Sequence, residues 1–328
     1  MYSIIEYKEN MEYDWDEFVL NQSINGNFLQ SRKFLNYHPK GRFEDCSILF
    51  YYKEELVAVC PACVEWENEK KIFHSHKGST YGGIVISKRV YRTEKLLELI
   101  KGLEDFLKKK NFNKIIMKPS MNLLSNPSMD LMYYCLGYLN YREYKELNIY
   151  INYQNYNPDI ISNLSKMKQR IIRKCIKENV QLKKLSEDCQ IGDFHEILEG
   201  NLKKYNKKPV HSYEELLDLK NKRFSDEIVF WGVYLDEKLV AGTMVFEFPK
   251  YGCAHTQYLA ADLAYNKLSP MSFLYYKMAE YYFERKFRYL SWGISTEDLG
   301  RYINMGLTNN KEEYGSEHNL IAIYEKDI

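Results

Sequence analysis

The sequence lacks the features that mark several large protein classes. No apolar run approaches the roughly 20 residues that a membrane-spanning helix needs. Residues 1–12 carry acidic side chains where a secretory leader has a basic end and an apolar core. No G-x-S-x-G, P-loop or G-x-G-x-x-G motif occurs, which argues against hydrolase, NTPase and dinucleotide-binding functions. We therefore expect a globular protein that does not insert into a membrane.

The sequence also has no excess of either charge, and its number of cysteines is odd. Its 46 Lys and Arg residues balance 45 Asp and Glu, and the formal charge of +1 favours neither nucleic acid nor a membrane surface. We predict no DNA partner on this basis. The seven cysteines are scattered and, with the missing leader, predict a cytoplasmic protein whose thiols are free.

Residue pairs that suggest redox or metal chemistry are incomplete. Cys60 and Cys63 form a C-x-x-C pair, but the pair falls in a predicted strand, whereas a redox thiol needs a helix start that lowers its pKa. A structural role is therefore predicted. His74 and His76 can share one face of a strand, but no third ligand is evident, so we predict no metal site.

What the sequence does contain is one unit that occurs twice. Residues 54–58 (EELVA) and 237–241 (EKLVA) each join two apolar runs, as the charged turn of a β-hairpin does. Each copy continues into a long helix and a closing strand. At roughly 100–200 residues per domain, 328 residues fit two domains. We predict two domains, residues 1–155 and residues 156–328.

The hydrophobic periodicity predicts the elements around these hairpins. Thr93 is predicted to cap a helix with a wide apolar face, and Gly192-Asp193 to begin another. The predicted helices cover 94–110, 159–178, 193–205, 212–221 and 269–286; the predicted strands cover 47–65 and 228–248 as hairpins, 252–260 and 288–294. This alternation of strands with helices predicts α/β or α+β layers.

Two passages suggest contact with phosphate groups. Ser269-Pro270 combines a favoured N-cap with a first-turn proline, and the N–H groups of such a helix start suit an anion such as pyrophosphate. Asn266 and Lys267 add polar donors just before it. The alternative is an ordinary helix start without a ligand, since no glycine-rich loop precedes it.

A basic stripe lies on the helix predicted over 159–178. Lys166, Arg170, Arg173 and Lys177 recur at the spacing that lines one helix face. The stripe is either a solvated face or a contact for phosphates of a nucleotide-linked or RNA-borne substrate. Near the C-terminus, Lys311 lies among aromatic and apolar residues. It is either a fixed cation for a developing oxyanion or a surface lysine in an exposed turn.

Four passages together resemble the FemAB-like, double-GNAT acyltransferases, a group also labelled BioF2-like acetyltransferases. In sequence order they cover nearly the whole chain. The first two passages are Phe28-Leu29-Gln30-Ser31 with Phe34, Tyr37, Ser47 and Leu56-Val57-Ala58, and then Lys166 to Val180. The third is Val240-Ala241-Gly242 with His255, Gln257-Tyr258 and Ser269-Pro270, and the fourth is Gly293-Ile294-Ser295, Asn304-x-Gly306-Leu307 and Lys311-x-x-Tyr314-Gly315. The resemblance implies two tandem GNAT-like domains, each a mixed twisted sheet flanked by helices.

The resemblance also implies a reaction, the transfer of an acyl group from an activated donor to an amine. GNAT enzymes use acetyl-CoA, whose pyrophosphate lies on a Q/R-x-x-G-x-G/A loop. Residues 258–269 contain no glycine, so the chain departs from that loop, as the Fem-like group generally does. Fem-type members use aminoacyl-tRNA to extend the peptide of a cell-wall precursor.

By resemblance, Lys311 matches the lysine near the acyl donor and is predicted to stabilise the oxyanion. Tyr258 is the predicted acid or orienting hydroxyl, and no general base is identified. The remaining predicted site residues are Ser269, Asn266, Lys267 and Gln257 for the donor, and Tyr81, Gln30, Ser31, Arg170 and Arg173 for the acceptor or for substrate phosphates.

Three functions follow as alternatives. The leading hypothesis is a cytoplasmic N-acyltransferase that uses acyl-CoA or acetyl-CoA, without a metal, on a small or nucleotide-linked amine in envelope glycan assembly. The second is aminoacyl transfer from tRNA, which we favour less. The third is a catalytically silent double-GNAT scaffold that binds a ligand or partner.

Overall fold

The structure, a computed structural model, describes residues 2–203 and 206–328. These residues form two compact units. The first comprises the described residues up to 146 with the short segments 298–300 and 320–328, and the second comprises the described residues from 147 to 297 and 301–319. The C-terminal strand therefore ends in the first unit. Each unit is a mixed sheet structure with flanking helices, which confirms the predicted fold class.

The elements follow the chain in this order. The strands are β1 (Ser3–Glu6), β2 (Glu44–Asp45), β3 (Ile48–Tyr52), β4 (Glu55–Cys60), β5 (Cys63–Glu67), β6 (Lys70–Ser75), β7 (Val85–Ile86), β8 (Lys114–Met117), β9 (Arg142–Asn152), β10 (Gln181–Lys184), β11 (Ile228–Leu235), β12 (Lys238–Phe248), β13 (Cys253–Ala261), β14 (Tyr289–Ile294), β15 (Thr296–Glu297), β16 (Tyr302–Ile303) and β17 (Glu317–Asp327). The helices are α1 (Glu12–Glu17), α2 (Arg32–Leu35), α3 (Thr93–Lys109), α4 (Asp130–Tyr138), α5 (Lys166–Lys177), α6 (Asp188–Lys203), α7 (Tyr213–Leu217), α8 (Pro270–Glu284) and α9 (Met305–Glu312).

The first unit contains two groups of hydrogen-bonded strands. One has the order β1-β3-β4-β7, and the other the order β17-β8-β6-β5-β2. The predicted hairpin at residue 54 is the antiparallel pair β3–β4. Helix α3 joins β6 to the parallel strand β8. Leu96, Leu99, Ile100 and Leu103 of α3 are buried, as the predicted apolar face requires.

The second unit repeats this connection. Its strands have the order β10-β11-β12-β13-β14-β9, and the second predicted hairpin is the pair β11–β12. Helix α8 joins β13 to β14, which run parallel. Both units thus contain a hairpin followed by a parallel strand pair joined by a helix, which is the duplication that the sequence predicted.

The parallel ladder between β13 and β14 is short. It pairs Cys253 with Tyr289, Ala254 with Leu290 and His255 with Ser291, and it ends there. Beyond this point β13 continues along β12 with Gln257 bulged, and β14 continues along β9 with Trp292 bulged. A bulge bends its strand and re-aims the following side chains. We call residues 256–258 and 292–294, which lie beyond the ladder, the wedge.

Several predicted helix starts are wrong in detail. Thr93 lies inside α3, and no side chain caps that helix at Arg92. Helix α6 begins at Asp188 rather than at Gly192-Asp193, and residues 204 and 205 of its predicted range lie outside the described residues. The helix predicted over 159–178 is interrupted because Ser165 is extended and caps α5, accepting from the Lys168 N–H at 3.3 Å.

Six of the seven cysteines are wholly or partly buried, and all seven are free. Burial raises the pKa of the Cys60 and Cys63 thiols, so both stay protonated and unreactive at neutral pH. This supports the predicted structural role of the C-x-x-C pair. Cys189, on α6, is exposed.

The buried face of α3 gives a prediction about stability. Leu103 is fully buried in the core of the first unit, so Leu103→Ala removes apolar contacts and leaves a cavity. We expect the free energy of unfolding to fall by about 2–5 kcal/mol. Urea unfolding measures this loss. Lys101→Ala, on the exposed face of the same helix, serves as the control and should change stability little. Equal effects of the two substitutions would contradict the assigned face.

Candidate functional site in the second unit

Lys311 is held inside the second unit by the short helix α9. Asn304 caps this helix, since its side-chain oxygen accepts from the Leu307 N–H at 3.0 Å. Just beyond the helix, Tyr314 is fully buried and stacks on Tyr275 with ring centroids 4.7 Å apart. Lys311 is only 2% exposed. The alternative of a surface lysine in an exposed turn is therefore wrong.

The Lys311 ammonium is bound to the wedge. Its Nζ donates to the carbonyl oxygens of Gly293 at 2.9 Å and Ile294 at 2.8 Å. Burial lowers the pKa of Lys311 to about 7, because the charged form loses its hydration. A protonated lysine has three N–H donors and a neutral one has two. Only the protonated form keeps a donor beyond those that the two carbonyls accept, and that donor is suited to an oxyanion.

Tyr258 lies on β13 in the other half of the wedge. Its hydroxyl is hydrogen-bonded to Nδ1 of His211. Burial raises the pKa of Tyr258, so the phenol stays protonated at neutral pH and is suited to donate a hydrogen bond or a proton. Sequence reasoning missed His211, although one signal was available. Ser212 caps α7 with a capping box, which fixes the backbone beside His211.

The predicted donor residues lie in the turn between β13 and α8. Asn266 and Lys267 are exposed, and Ser269 is half-buried with a left-handed backbone at φ 56°. Ser269 occupies the predicted N-cap position of α8, with Pro270 as the first helical residue, but it does not make the side-chain bond of a cap. Its side chain accepts no N–H of α8, and its hydroxyl instead donates to the Asn266 carbonyl at 3.3 Å. Gln257 is the half-buried bulge residue of the wedge.

Helix α5 is fixed beside this turn. Lys174 Nζ donates to the Lys267 carbonyl at 3.3 Å. Lys168 is buried on the opposite side of α5, where its Nζ lies 2.6 Å from Asn310 Oδ1 and 3.4 Å from Ser272 Oγ in the first turn of α8. Lys168 thus anchors α5 to the helix start, a role that its position in a basic sequence did not reveal.

The outer face of α5 carries the predicted basic stripe. Five exposed cations lie on this face, and among the described residues none of them has a carboxylate partner; they are Lys166, Arg170, Arg173, Lys174 and Lys177. Arg170 and Arg173 therefore lie on the helix that borders the donor turn. The stripe is open to solvent and available to an anionic ligand.

The predicted acceptor residues of the first unit are buried. The Gln30 side chain donates to the Gly82 carbonyl at 2.8 Å and accepts from the Asn27 N–H at 3.1 Å. Ser31 caps α2 and donates to the Phe28 carbonyl at 2.7 Å. Both are fully buried, and Tyr81 is 1% exposed. These bonds use the Gln30 and Ser31 side chains within the fold.

A polar cavity of about 560 Å³ lies elsewhere in the first unit. Arg32 is buried there beneath the ring of Tyr7, with its guanidinium carbon 3.9 Å from the ring centroid, and is paired with Asp45. The rings of His38 and His76 stack in the same cavity, 6.3 Å apart. Sequence reasoning missed this group, because its members are separated along the chain and match no motif.

Comparison with known proteins identifies a domain in the second unit. The profile of the acetyltransferase (GNAT) domain matches residues 168–302, which include most of α5, the wedge and α8. The chain has the FemAB-like double-GNAT fold. The profile match supports an enzyme of the acyltransferase class, as the sequence predicted.

Solved structures resemble this double-GNAT chain over nearly its full length. The crystal structure of FemX is similar with a TM-score of 0.71 at 11% identity, covering 99% of this chain and 97% of that one. The C-terminal domain of a lysylphosphatidylglycerol synthetase from Agrobacterium fabrum has a TM-score of 0.62 at 8% identity, with coverages of 98% and 93%. A tandem GNAT protein from the clavulanic acid biosynthesis pathway has a TM-score of 0.59 at 8% identity, with coverages of 100% and 98%.

At these identities the likeness concerns the fold. No curated protein sequence matches the chain. Within residues 2–203 and 206–328, no helix is long and apolar enough to cross a bilayer. The same residues contain no cluster of three or more His, Cys, Asp or Glu side chains arranged to hold a metal ion.

The burial of Lys311 gives a prediction that does not depend on activity. Its pKa is about 7 in the folded protein, against the ordinary lysine value of 10.5 that we assign to the unfolded chain, so the unfolded chain binds one more proton between these values. Stability therefore rises with pH through this window, by up to about 1.4 kcal/mol for each pH unit, and this rise is lost in Lys311→Met.

Urea unfolding of both proteins between pH 6 and pH 10 measures the difference. The loss of two hydrogen bonds in the variant adds a constant offset that does not change with pH. Lys183→Met, which removes an exposed lysine on β10, should run parallel to the parent protein. If Lys311→Met also runs parallel to it, Lys311 has an ordinary pKa and is not desolvated.

Proposed function

We propose that the protein is a cytoplasmic N-acyltransferase that moves an acyl group from an activated donor, acyl-CoA or acetyl-CoA, to an amine. The observation that carries this proposal is the position of Lys311, a buried ammonium bound to the strand end where the β13–β14 ladder opens. The acceptor is a small or nucleotide-linked amine of envelope glycan assembly.

Attack of an amine on the donor carbonyl produces a tetrahedral oxyanion. Lys311 supplies the third N–H of its ammonium to this oxygen, in a buried site where a fixed donor is worth more than in water. Tyr258 orients the donor carbonyl or protonates the leaving group, and its bond to His211 fixes the direction of the phenol. Tyr258 belongs to the wedge, and Lys311 is hydrogen-bonded to it.

The phosphate groups of the donor bind where α5 borders the start of α8. Asn266, Lys267 and Ser269 supply polar groups from the turn, and Gln257 faces the donor from the bulge of β13. The exposed α5 cations neutralise phosphate charge. Side chains thus replace the backbone N–H groups that a glycine-rich loop provides, which is consistent with the lack of glycine in residues 258–269.

Binding of the donor is tested first by thermal unfolding with acetyl-CoA, longer acyl-CoAs, free CoA and nucleotide-linked sugars. A ligand that binds only the folded protein raises the melting temperature by mass action. We expect a rise with acyl-CoA. If no member of the panel changes the melting temperature, the acyl-CoA proposal fails.

Turnover is then measured as thiol release from the acyl-CoA that binds, with a panel of primary amines. Lys311→Met should lower kcat by about 10²–10³-fold, the usual cost of an oxyanion donor, and should change the KM of the acceptor little. Because only protonated Lys311 offers the third N–H, its contribution to kcat should fall as pH rises through about 7. Lys183→Met is again the control. Unchanged kcat in Lys311→Met would contradict the assigned role.

A second candidate, aminoacyl transfer from tRNA, is favoured by the α5 stripe. Five exposed cations, which have no carboxylate partner among the described residues, form a surface longer than a CoA pyrophosphate requires, and they match a polyanion. The neutral overall charge weighs against it, because RNA-binding domains are usually basic. For this reason we keep acyl-CoA as the proposed donor.

The two donors are separated by a binding titration with unacylated tRNA at increasing salt. If tRNA is the donor carrier, Arg170→Ala with Arg173→Ala should weaken binding and reduce the slope against log salt by about two, one for each phosphate contact. The matched control is Lys183→Ala with Lys184→Ala, which removes two exposed cations from β10. Equal effects of the two pairs would indicate non-specific binding and exclude the stripe as a tRNA site.

A further inference from the structure

A chain of buried polar groups crosses the base of the wedge. His255 Nδ1 lies 3.0 Å from Ser291 Oγ, and Ser291 Oγ donates to Asn148 Oδ1 at 2.9 Å. Asn148 Nδ2 then donates to Asn319 Oδ1 at 2.7 Å. His255, Ser291 and Asn148 are buried, at 6%, 0% and 0% exposure. None of these hydrogen-bonded residues has a part in the acyl-transfer steps proposed for Lys311 and Tyr258.

The order of donors in this series of hydrogen bonds indicates the tautomer of His255. The Asn148 amide nitrogen donates to Asn319, so its oxygen is the atom that accepts the Ser291 hydroxyl proton. A serine hydroxyl has one proton to donate and otherwise accepts. Ser291 Oγ therefore accepts from His255, so Nδ1 carries the ring proton and Nε2 carries a lone pair.

His255 also lies where the proposed chemistry takes place. It is the last residue of β13 that pairs with β14, and it directly precedes the wedge. Gly293 lies between His255 and Lys311 and is close to both. The Gly293 carbonyl accepts from Lys311, and a side-chain carbon placed on Gly293 would lie 3.4 Å from His255 Cε1 and 3.9 Å from the Thr256 carbonyl oxygen. The missing side chain leaves space along the edge of the imidazole.

We propose that His255 is the general base of the transfer, with Nε2 as the atom that accepts the proton of the attacking amine. This inference rests on the proposed function and adds the base that the reaction requires. As the amine nitrogen forms its bond to the acyl carbon, one N–H bond of the amine breaks and its proton moves to Nε2, which gives an imidazolium. The thiolate of the donor leaves with the electron pair of the broken C–S bond and receives a proton from the imidazolium, or from Tyr258, which then recovers a proton from the imidazolium.

Ser291 and Asn148 are positioning residues in this scheme. They hold Nδ1–H by a buried acceptor, which fixes the ring and stabilises the imidazolium through a chain of hydrogen bonds. An amine that is neutral in the site reacts readily, whereas an ammonium has no lone pair. A base that removes the proton supplies about 10²–10⁴-fold in rate.

The tautomer is tested without any substrate. The protein labelled with ¹⁵N-histidine gives a two-bond ¹H–¹⁵N pattern that identifies which ring nitrogen carries the proton, and His255→Gln assigns the signals of His255. We expect Nδ1–H in the parent protein and a change of pattern in Ser291→Ala, where the acceptor is gone. A proton on Nε2 in the parent protein would overturn the proposal, since the Asn148 amide would then be reversed.

The catalytic part is tested with the acyl-CoA and amine pair that show turnover in the assay above. His255→Gln should lower kcat by about 10²–10⁴-fold with little change in the KM of the donor, and Ser291→Ala should lower kcat less. Imidazole added to His255→Ala should restore part of kcat, which a purely structural role would not allow. His74→Gln, a half-buried histidine of the first unit, is the control and should keep full activity.

The outcomes separate this inference from the proposed function. Absence of turnover in the parent protein with every donor refutes the proposed function and, with it, the assignment of a base. Turnover in the parent protein together with near-normal kcat in His255→Gln refutes the assignment of His255 alone. Loss of kcat in His255→Gln without rescue of His255→Ala by imidazole, when both variants melt at the parental temperature, also counts against a base and assigns a structural role.

Discussion

The chemistry of the second unit depends on the place where the β13–β14 ladder ends. Three residue pairs hold the two strands together, and after His255 and Ser291 a bulge turns each strand toward its other neighbour. Backbone groups that a longer ladder would satisfy must then find other partners, because buried carbonyls are rarely left unpaired. Lys311 fulfils this need for Gly293 and Ile294. One interruption of a sheet therefore both opens a space and draws a charged side chain to it.

Gly293 combines three functions that no other residue type performs as easily. Its backbone is left-handed at φ 80°, which glycine adopts at no steric cost. Its N–H lies 3.3 Å from Ser291 Oγ, its carbonyl accepts from Lys311, and its missing side chain leaves room beside His255. The relative placement of the cation and the imidazole thus depends on a single backbone conformation, more than on the flexible side chains themselves.

The sequence predicted the repeated architecture well and its details less well. The two Leu-Val-Ala hairpins and the apolar face of α3 could be read from local pattern, because alternation and helical spacing follow directly from which residues are buried. The cap at Thr93 was wrong, and Ser269 takes its predicted N-cap position without the side-chain bond, because capping depends on backbone angles that neighbouring packing determines. For the site, residue type and resemblance pointed to Lys311 and Tyr258. The burial of Lys311, the pairing of Tyr258 with His211 and the chain that starts at His255 depend on contacts between residues far apart in sequence, which no local pattern contains.

The exposure of the cysteines has a practical consequence for fluorescent labelling of this protein. Six thiols are wholly or partly shielded by the fold, and Cys189 alone is exposed on α6 of the second unit, ahead of the strands that bear Tyr258 and the carbonyl partners of Lys311. A maleimide fluorophore will therefore attach at one position of the native protein without any engineering. Cys189 of the wild-type protein is thus a labelling site for spectroscopy of the unit that contains the wedge.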